Sequence, residues 1–326
     1  MLTLPPFQYH APTSVDEAVR LLVQHQGQVK VLAGGTDLVP NMKHRLFTPP
    51  HVVGLKGIRD LSYVKEEGGA LRLGAMLTIA DLGRNETVRA KLPSLARAAK
   101  AIAGPQLREM GTLGGNLCLD TRCVYYNQTY FWRKALGFCL KKDGTVCHVV
   151  KGGQKCVAAA SNDTAPVLMT LGATVRLAGA NGVREVPVSE LYVPDGIVNL
   201  AMRPDELVVE ARVPLPAARV VMGYEKLRIR AAIDYPALCV AVAAQLDESG
   251  VIEWVRVAVS ALGARPHLFK RLEAFRGRVL GDAVIAELGQ LAYKQCHPLT
   301  NINVDPAWRR RVLPVFLRRA FERALG

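Results

Sequence analysis

The stretch Lys30-Val31-Leu32-Ala33-Gly34-Gly35-Thr36-Asp37 decides how the N-terminal part of this chain folds. Residues 30–33 have the pattern of a short strand that ends at the two glycines, and residues 37–46 have the pattern of a helix. A second strand is predicted over residues 52–55. The chain therefore opens with a β-α-β unit that has a glycine turn at its centre.

A second glycine turn, Gly111-Thr112-Leu113-Gly114-Gly115-Asn116, follows about 75 residues later. Backbone amides in such turns can bind phosphate oxygens, and glycine is needed where a β-carbon would hold the backbone away. Each turn by itself is more often a simple tight turn, but the two together indicate a nucleotide. The chain contains no Gly-x-Gly, Walker A or His-Glu-x-x-His pattern, so these sequences do not predict a Rossmann enzyme, a P-loop enzyme or a zincin.

The rest of the chain mixes helices and strands, which predicts an α+β fold. Asn181-Gly182 is a hairpin signal between two short strands, and the basic C-terminal run has the pattern of an amphipathic helix. Prolines and alanines near residue 216 mark a boundary. We predict three units, at residues 1–58, 59–216 and 217–326.

Composition limits the class of protein. The chain has 326 residues, half of them hydrophobic, and a formal charge of +14. This charge suits an acidic partner or, equally, a solvated basic surface. No apolar run is long enough to span a membrane and the N-terminus does not resemble an export signal, so we expect a cytoplasmic protein with reduced or metal-bound thiols.

Five of the seven cysteines lie between Cys118 and Cys156, in a segment that has the character of an insertion after the second glycine turn. Four thiolates from one loop can bind zinc or a cubane iron–sulfur cluster, and the spacing alone does not choose between them. The other interpretation is that the thiols are free and buried. Cys118, in an apolar context, is the best candidate for a free thiol.

The same insertion is rich in basic and aromatic side chains. This combination is compatible with single-stranded nucleic acid, with a docking face for an acidic electron carrier that includes Lys134, Lys141 and Lys142, or with a small core for a loop that lacks one.

The two glycine turns, the segment Ser161-Asn162-Asp163 and the stretch from Lys226 to Asp234 resemble the FAD-binding subunits of the molybdenum hydroxylase (xanthine oxidase) family. The resemblance covers essentially the whole chain. It implies a two-part FAD-binding domain of the vanillyl-alcohol-oxidase type and a C-terminal α+β domain like that of the CO dehydrogenase flavoprotein.

The resemblance also implies which residues bind cofactors, while no residue of this chain is expected to be catalytic. Four of the cysteines would ligate a 4Fe-4S cluster in an insertion at about residues 119–157, and Asp163 and Lys226 would lie beside the flavin and its ribityl chain. The implied FAD-binding residues are Lys30, Val31, Leu32, Ala33, Gly34, Gly35, Thr36, Asp37, Ile102, Ala103, Thr112, Leu113, Gly114, Gly115, Asn116, Asp163 and Lys226. The implied cluster ligands are Cys123, Cys139, Cys147 and Cys156.

The resemblance implies an electron-transfer role. Electrons from reduced ferredoxin would pass through the 4Fe-4S cluster and FAD toward a 2Fe-2S (gamma) subunit and a molybdenum-cofactor (alpha) subunit, in a dimer of heterotrimers that reductively removes a hydroxyl group from an aromatic acyl-CoA. Neither nucleic acid nor membrane is an expected partner. The alternatives are a flavin subunit of the aldehyde, purine or CO dehydrogenase type with outward electron flow, or a zinc-binding nucleic-acid module.

Overall fold

The computed structural model describes residues 2–216 and 219–326, which form three β-sheets with helices packed against them. The predicted boundary at residues 216 and 217 falls where residues 217 and 218 lie outside the described part of the chain. Among the described residues, no helix is both long and apolar enough to cross a membrane.

The first sheet has three parallel strands in the order β1-β3-β2. Its elements are β1 (Gln8–His10), α1 (Val15–Gln24), β2 (Val29–Leu32), α2 (Leu38–Lys43) and β3 (His51–Gly54). The Ser14 side chain caps α1 by accepting from the Glu17 amide at 3.2 Å. Ala18 and Leu22 of α1 pack on Val53, which closes a small core between helix and sheet.

The second sheet is antiparallel, with five strands in the order β4-β5-β8-β6-β7. Its strands are β4 (Val64–Glu67), β5 (Ala70–Gly74), β6 (Thr174–Gly179), β7 (Gly182–Pro187) and β8 (Leu207–Pro214). The predicted hairpin is β6–β7, and because Gly179 pairs with Gly182, its two-residue loop is Ala180-Asn181.

Seven helices lie in the long connection between β5 and β6. They are α3 (Ile79–Arg84), α4 (Glu86–Lys91), α5 (Pro93–Ala101), α6 (Pro105–Met110), α7 (Leu113–Leu117), α8 (Tyr130–Ala135) and α9 (Thr164–Thr170). Apolar residues of α3, α5 and α9 join the sheet in the largest core of the molecule. Helix α7 begins inside the second glycine turn, so this turn is a helix start.

The third sheet has the order β12-β11-β10-β9 and is covered on both faces. Its elements are β9 (Val220–Leu227), β10 (Leu238–Leu246), β11 (Ile252–Ser260), β12 (His267–Leu268), α10 (Asp282–Gln295) and α11 (Pro306–Leu325). Alternate residues of β10 explain this: Cys239 and Ala241 join the core of the second unit, while Val240 and Val242 pack under α10 and α11. The C-terminal unit is thus joined to the second unit by a shared core.

Candidate cofactor-binding site

The first glycine turn lies between β2 and α2. Gly35 has a φ of +75°, a conformation that glycine adopts without strain. A β-carbon on Gly34 would stand 1.8 Å from the carbonyl oxygen of Met110, so only glycine lets this turn approach the backbone that precedes the second turn. Among the described residues, no group accepts a hydrogen bond from the amides of residues 34–37. This turn therefore presents free donors.

The second glycine turn is held by its own chain. The Leu113 amide donates to the Leu77 carbonyl at 2.9 Å, and the Gly114 amide donates to the Ala75 carbonyl at 2.8 Å. The Gly115 amide donates to the Thr112 hydroxyl at 3.1 Å, which caps α7. The amides of this turn are thus satisfied inside the protein, and the turn supplies a closely packed wall.

A cavity of about 730 Å³ opens between the two turns, within the size range of ligand-binding pockets. Its walls come from the first two units and from the segment that follows β9. Most of the predicted FAD-binding residues line it: Lys30, Val31, Ala33, Gly34, Gly35, Thr36, Asp37, Ile102, Ala103, Thr112, Gly114, Gly115, Asn116, Asp163 and Lys226. Leu32 and Leu113 do not line it among the described residues, and Leu113 is fully buried in the large core because α7 turns its side chain inward.

Asp163 and Lys226 meet each other at the inner wall of the cavity. The Lys226 Nζ atom lies 2.9 Å from Asp163 Oδ1, and both side chains are nearly fully buried. The same oxygen accepts from the Tyr224 hydroxyl at 2.8 Å. Within the described chain nothing donates to Asp163 Oδ2, which leaves one carboxylate oxygen for a ligand hydroxyl.

Ile102 and Ala103 follow α5 and are held against the C-terminal unit. Lys226 Nζ donates to the Ala101 carbonyl at 3.1 Å, and the Ile233 amide donates to the Ala103 carbonyl at 3.1 Å. Ala103 has a positive φ of 46°, an uncommon conformation for a residue with a β-carbon. These contacts fix the backbone that forms one side of the cavity.

Asp37 at the end of the first turn is tied to the insertion. The Arg122 guanidinium pairs with Asp37 at 2.5 Å and lies 3.6 Å from the centroid of the Tyr235 ring. Burial raises the pKa of Asp37, and the adjacent Arg122 opposes that shift. Tyr235 has no local sequence signal that predicts its place in the cavity wall, and only the fold brings it there.

The insertion is closed at its neck by a bridge between Arg122 and Ala159, whose backbones exchange hydrogen bonds of 2.8 and 2.6 Å. Lys141 lies within this neck, with Nζ 2.7 Å from Asp120 Oδ1 and its side chain only 5% exposed. The expectation that Lys141 contributes to an exposed docking face is therefore wrong, because its ammonium group is buried and paired with Asp120. Phe131, in α8, is 86% exposed and does not shield the thiols.

Three of the four predicted cluster ligands gather in the core of the insertion. Cys123, Cys139 and Cys156 are buried there together with Tyr126 and Leu46. Burial raises the pKa of Cys123 to about 11, and the thiols of Cys156, Cys139 and Cys147 add smaller effects in the same direction. Cys147 is half-buried and lies two residues before Val149, which packs on the same core.

Cys118 is elsewhere. It lines the cavity between the glycine turns, packs against the large core, and has its Sγ atom 4.0 Å from the sulfur of Met202. Burial raises the pKa of Cys118 to about 12. The structure thus separates Cys118 from the other four thiols of this stretch.

The fold and the matches to known families together define a protein that binds FAD. Residues 5–216 match the model of the FAD binding domain in molybdopterin dehydrogenase, and residues 223–324 match the CO dehydrogenase flavoprotein C-terminal domain. The chain belongs to this family, as an FAD-binding subunit of the molybdenum hydroxylases. The match favours this class over a nucleic-acid-binding zinc module.

Individual relatives agree over nearly the full length. The chain is 31% identical to the carbon monoxide dehydrogenase medium chain of Hydrogenophaga pseudoflava, over 98% of this chain and 97% of that one. It is 30% identical to the aldehyde oxidoreductase FAD-binding subunit of Escherichia coli (strain K12), over 96% and 98%. The solved structure of carbon monoxide dehydrogenase from Hydrogenophaga pseudoflava superposes with a TM-score of 0.82 at 28% identity, covering 99% of this chain and 98% of that one. The predicted fold is confirmed.

Proposed function

We propose that this chain is an electron-transfer subunit that binds FAD and a 4Fe-4S cluster and supplies a molybdenum centre on a partner subunit. The observation that carries the proposal is the packing of Cys123, Cys139 and Cys156 in one core, with Cys147 beside it, in an insertion that is bonded to the wall of the cavity. When bound, FAD exchanges one or two electrons, which suits it to link carriers of different kinds.

The cavity fits FAD because the two turns contribute different features to it. The free amides of residues 34–37 are suited to the diphosphate, since backbone donors in a turn bind anions. The second turn forms the opposite wall, and Asp163 keeps one carboxylate oxygen for a hydroxyl group of the ribityl chain. Lys226, neutralised by Asp163, would lie near the flavin ring without leaving an unpaired buried charge.

The thiols are spaced more widely than a single zinc ion requires. A tetrahedral zinc with Zn–S bonds of about 2.3 Å would hold its sulfur atoms about 3.8 Å apart. Among the described residues, no three cysteine sulfurs lie within 4.8 Å of one another. A cubane bonds each thiolate to a different iron and so spaces them more widely.

Backbone amides also face the sulfurs. The Val150 amide donates to Cys147 Sγ and the Ala158 amide to Cys156 Sγ, each at 3.4 Å. Hydrogen bonds to the sulfurs tune the potential of iron–sulfur clusters.

The cysteine insertion contacts the first glycine turn directly. Arg122 precedes Cys123 directly and binds Asp37 of the first turn, and Leu46, which follows α2, packs among the thiols. The insertion is therefore built onto the element that carries the free amides. An electron that enters at the thiols reaches the cavity through protein that is packed and buried.

We further propose the particular enzyme. The cysteine insertion supports the beta subunit of 4-hydroxybenzoyl-CoA reductase, in which reduced ferredoxin donates electrons and the phenolic hydroxyl is removed to give benzoyl-CoA. The partners would be a molybdenum-cofactor subunit and a 2Fe-2S subunit, as a dimer of heterotrimers. No residue of this chain is assigned to the acyl-CoA, so the substrate follows from the insertion and not from a binding pocket.

A second candidate is favoured by the relatives, whose names are carbon monoxide dehydrogenase, aldehyde oxidoreductase and nicotinate dehydrogenase. In that case electrons leave the molybdenum site through this subunit and pass outward to an acceptor. The cavity and the thiol group are compatible with both directions. The direction of electron flow is therefore the property that separates the two candidates.

Anaerobic purification of the full chain tests the two cofactors. We expect one FAD with four iron and four sulfide per chain, and we expect Cys139→Ser to lose the iron while keeping FAD. Cys296→Ser is the matched control, because Cys296 is equally buried but lies in the C-terminal core. Unchanged iron in Cys139→Ser, or zinc in place of iron in the wild-type chain, contradicts the cluster.

The direction of electron flow is tested on the assembled enzyme. Photoreduced ferredoxin should bleach the flavin and support conversion of 4-hydroxybenzoyl-CoA to benzoyl-CoA. If instead an aldehyde, a purine or carbon monoxide bleaches the flavin, the second candidate is correct, and the proposed cofactor content is judged separately by the metal and flavin analysis.

A further inference from the structure

Three histidines meet on the first sheet, outside the cavity and far along the sequence from the cysteines. His10 lies in β1, His51 begins β3, and His25 is the residue at which α1 ends. The strands are parallel neighbours with Gln8 opposite His51, so His10 and His51 are on the same face of the sheet. Helix α1 packs on that face and delivers His25 to the same point.

The rings are close enough to share one ligand. One ring nitrogen from each of the three histidines lies within 4.8 Å of the other two. His10 Nε2 and His51 Nδ1 are 3.1 Å apart. The rings of His25 and His51 stack with centroids 3.7 Å apart, so one of these two rings must rotate before both point a nitrogen at the same ion. All three side chains are half-buried, which leaves the group open to solvent from one side.

The distance between His10 and His51 matches a metal site. Two imidazole nitrogens bound to one tetrahedral ion, at about 2.0–2.1 Å each, stand about 3.3 Å apart. The His10–His51 distance is close to that value. Three imidazoles without a carboxylate are a ligand set that suits zinc, copper, nickel or cobalt, and not magnesium or calcium.

The C-terminus of α1 adds an electrostatic attraction for a cation. Helix α1 has ten residues, and the partial negative charge of its C-terminal carbonyls lies beside His25. An ion held there would join β1 to α1 and β3, which contribute residues to the first core.

We propose that His10, His25 and His51 bind one divalent transition-metal ion, with zinc as the best fit and water as its fourth ligand. The site is separate from the cysteine insertion and plays no part in electron transfer. Its role is to fasten the short strand β1 to the rest of the first unit.

The test uses the full chain purified anaerobically with the cysteine insertion occupied by its cluster, after dialysis against a chelator that removes loosely bound zinc. Titration with zinc sulfate should reveal one site, and X-ray absorption at the zinc edge should show nitrogen neighbours near about 2.0 Å and no sulfur near about 2.3 Å. His25→Asn and His51→Gln should each weaken binding by more than about 100-fold, because even outer partners of a ligand are worth about 10- to 100-fold. Zinc should also raise the thermal midpoint of the wild-type chain and not that of His25→Asn.

His297→Ala is the matched control, since His297 is exposed and lies in the C-terminal unit. It should bind zinc like the wild type. Zinc bound only through sulfur, equal binding by wild type and His25→Asn, or no binding to a wild-type chain that is folded by circular dichroism would each overturn the proposal.

Discussion

The two glycine turns have nearly the same sequence, Gly-Gly followed by a polar residue, and yet they do different work. In the first turn the amides of residues 34–37 are free of protein acceptors. In the second turn the amides of residues 113–116 are all paired within the protein. The first turn can therefore bind an anion by hydrogen bonds, whereas the second can only present a surface.

The glycines differ in the same sense. Gly34 is required because the first turn touches the backbone before the second turn, with no room for a β-carbon beside Met110. Gly114 is required because α7 begins against Ala75, where a β-carbon would meet the Ala75 β-carbon at 2.9 Å. One glycine thus shapes the cavity, and the other packs a helix against its neighbour. A Gly-Gly motif indicates that the backbone lies close to another group, but the identity of that group decides the function of the turn.

The largest effect is expected from Gly34→Ala. The added β-carbon would lie 1.8 Å from a carbonyl oxygen of the backbone, which no side-chain rotation can relieve. The two turns must separate, so we expect the cost in unfolding free energy to exceed about 3 kcal/mol, the upper end of usual overpacking. FAD should be lost, as measured by flavin absorbance per chain after gel filtration, while the iron content stays unchanged.

Gly263→Ala is the control for that substitution, because no heavy atom lies within 4 Å of the added β-carbon. Its stability and flavin content should equal those of the wild type. A Gly34→Ala chain that keeps its FAD would contradict the assignment of the first turn to the cavity.

A smaller effect is expected from Gly114→Ala. The contacts at 2.9 and 3.0 Å to Ala75 require shifts of a few tenths of an ångström, which corresponds to about 1–3 kcal/mol. Because the amides of this turn are already paired, the free energy of unfolding should fall while the flavin dissociation constant changes little. Equilibrium urea unfolding and flavin titration measure the two quantities separately. If flavin affinity falls more than stability does, the second turn binds the cofactor directly and the comparison fails.

Local patterns in the sequence predicted part of this fold, since the opening β-α-β unit and the hairpin β6–β7 depend on neighbouring residues. The motif around Gly34 likewise predicted residues that line the cavity. Strand β1 was missed, because three residues carry too little pattern and the strand exists only through its pairing with β3.

The sequence also did not predict which of the two turns has its amides hydrogen-bonded within the protein. Ala75 and Leu77, nearly 40 residues upstream, occupy the amides of the second turn, and no local signal marks them as its partners. Tyr235 and the three histidines are brought to their places by sheet and helix packing alone. The cysteine spacing did not choose the four neighbouring thiols, and the choice of Cys123 over Cys118 came from the family resemblance.

The smallest effect is expected from removing a helix N-cap, and it should be larger at a buried helix start than at an exposed one. Thr112 caps α7 in the second turn and is 3% exposed, whereas Thr129 caps α8 in the insertion and is open to solvent. Thr112→Val keeps the shape but leaves the Gly115 amide without an acceptor and away from bulk water. We expect it to cost about 1 kcal/mol or slightly more, typical of a lost cap. Thr129→Val should lower the unfolding free energy by only a few tenths of a kcal/mol, because water replaces the lost acceptor. Urea unfolding measures both costs. Equal costs for the two variants would mean that the second turn is not held by its own hydrogen bonds.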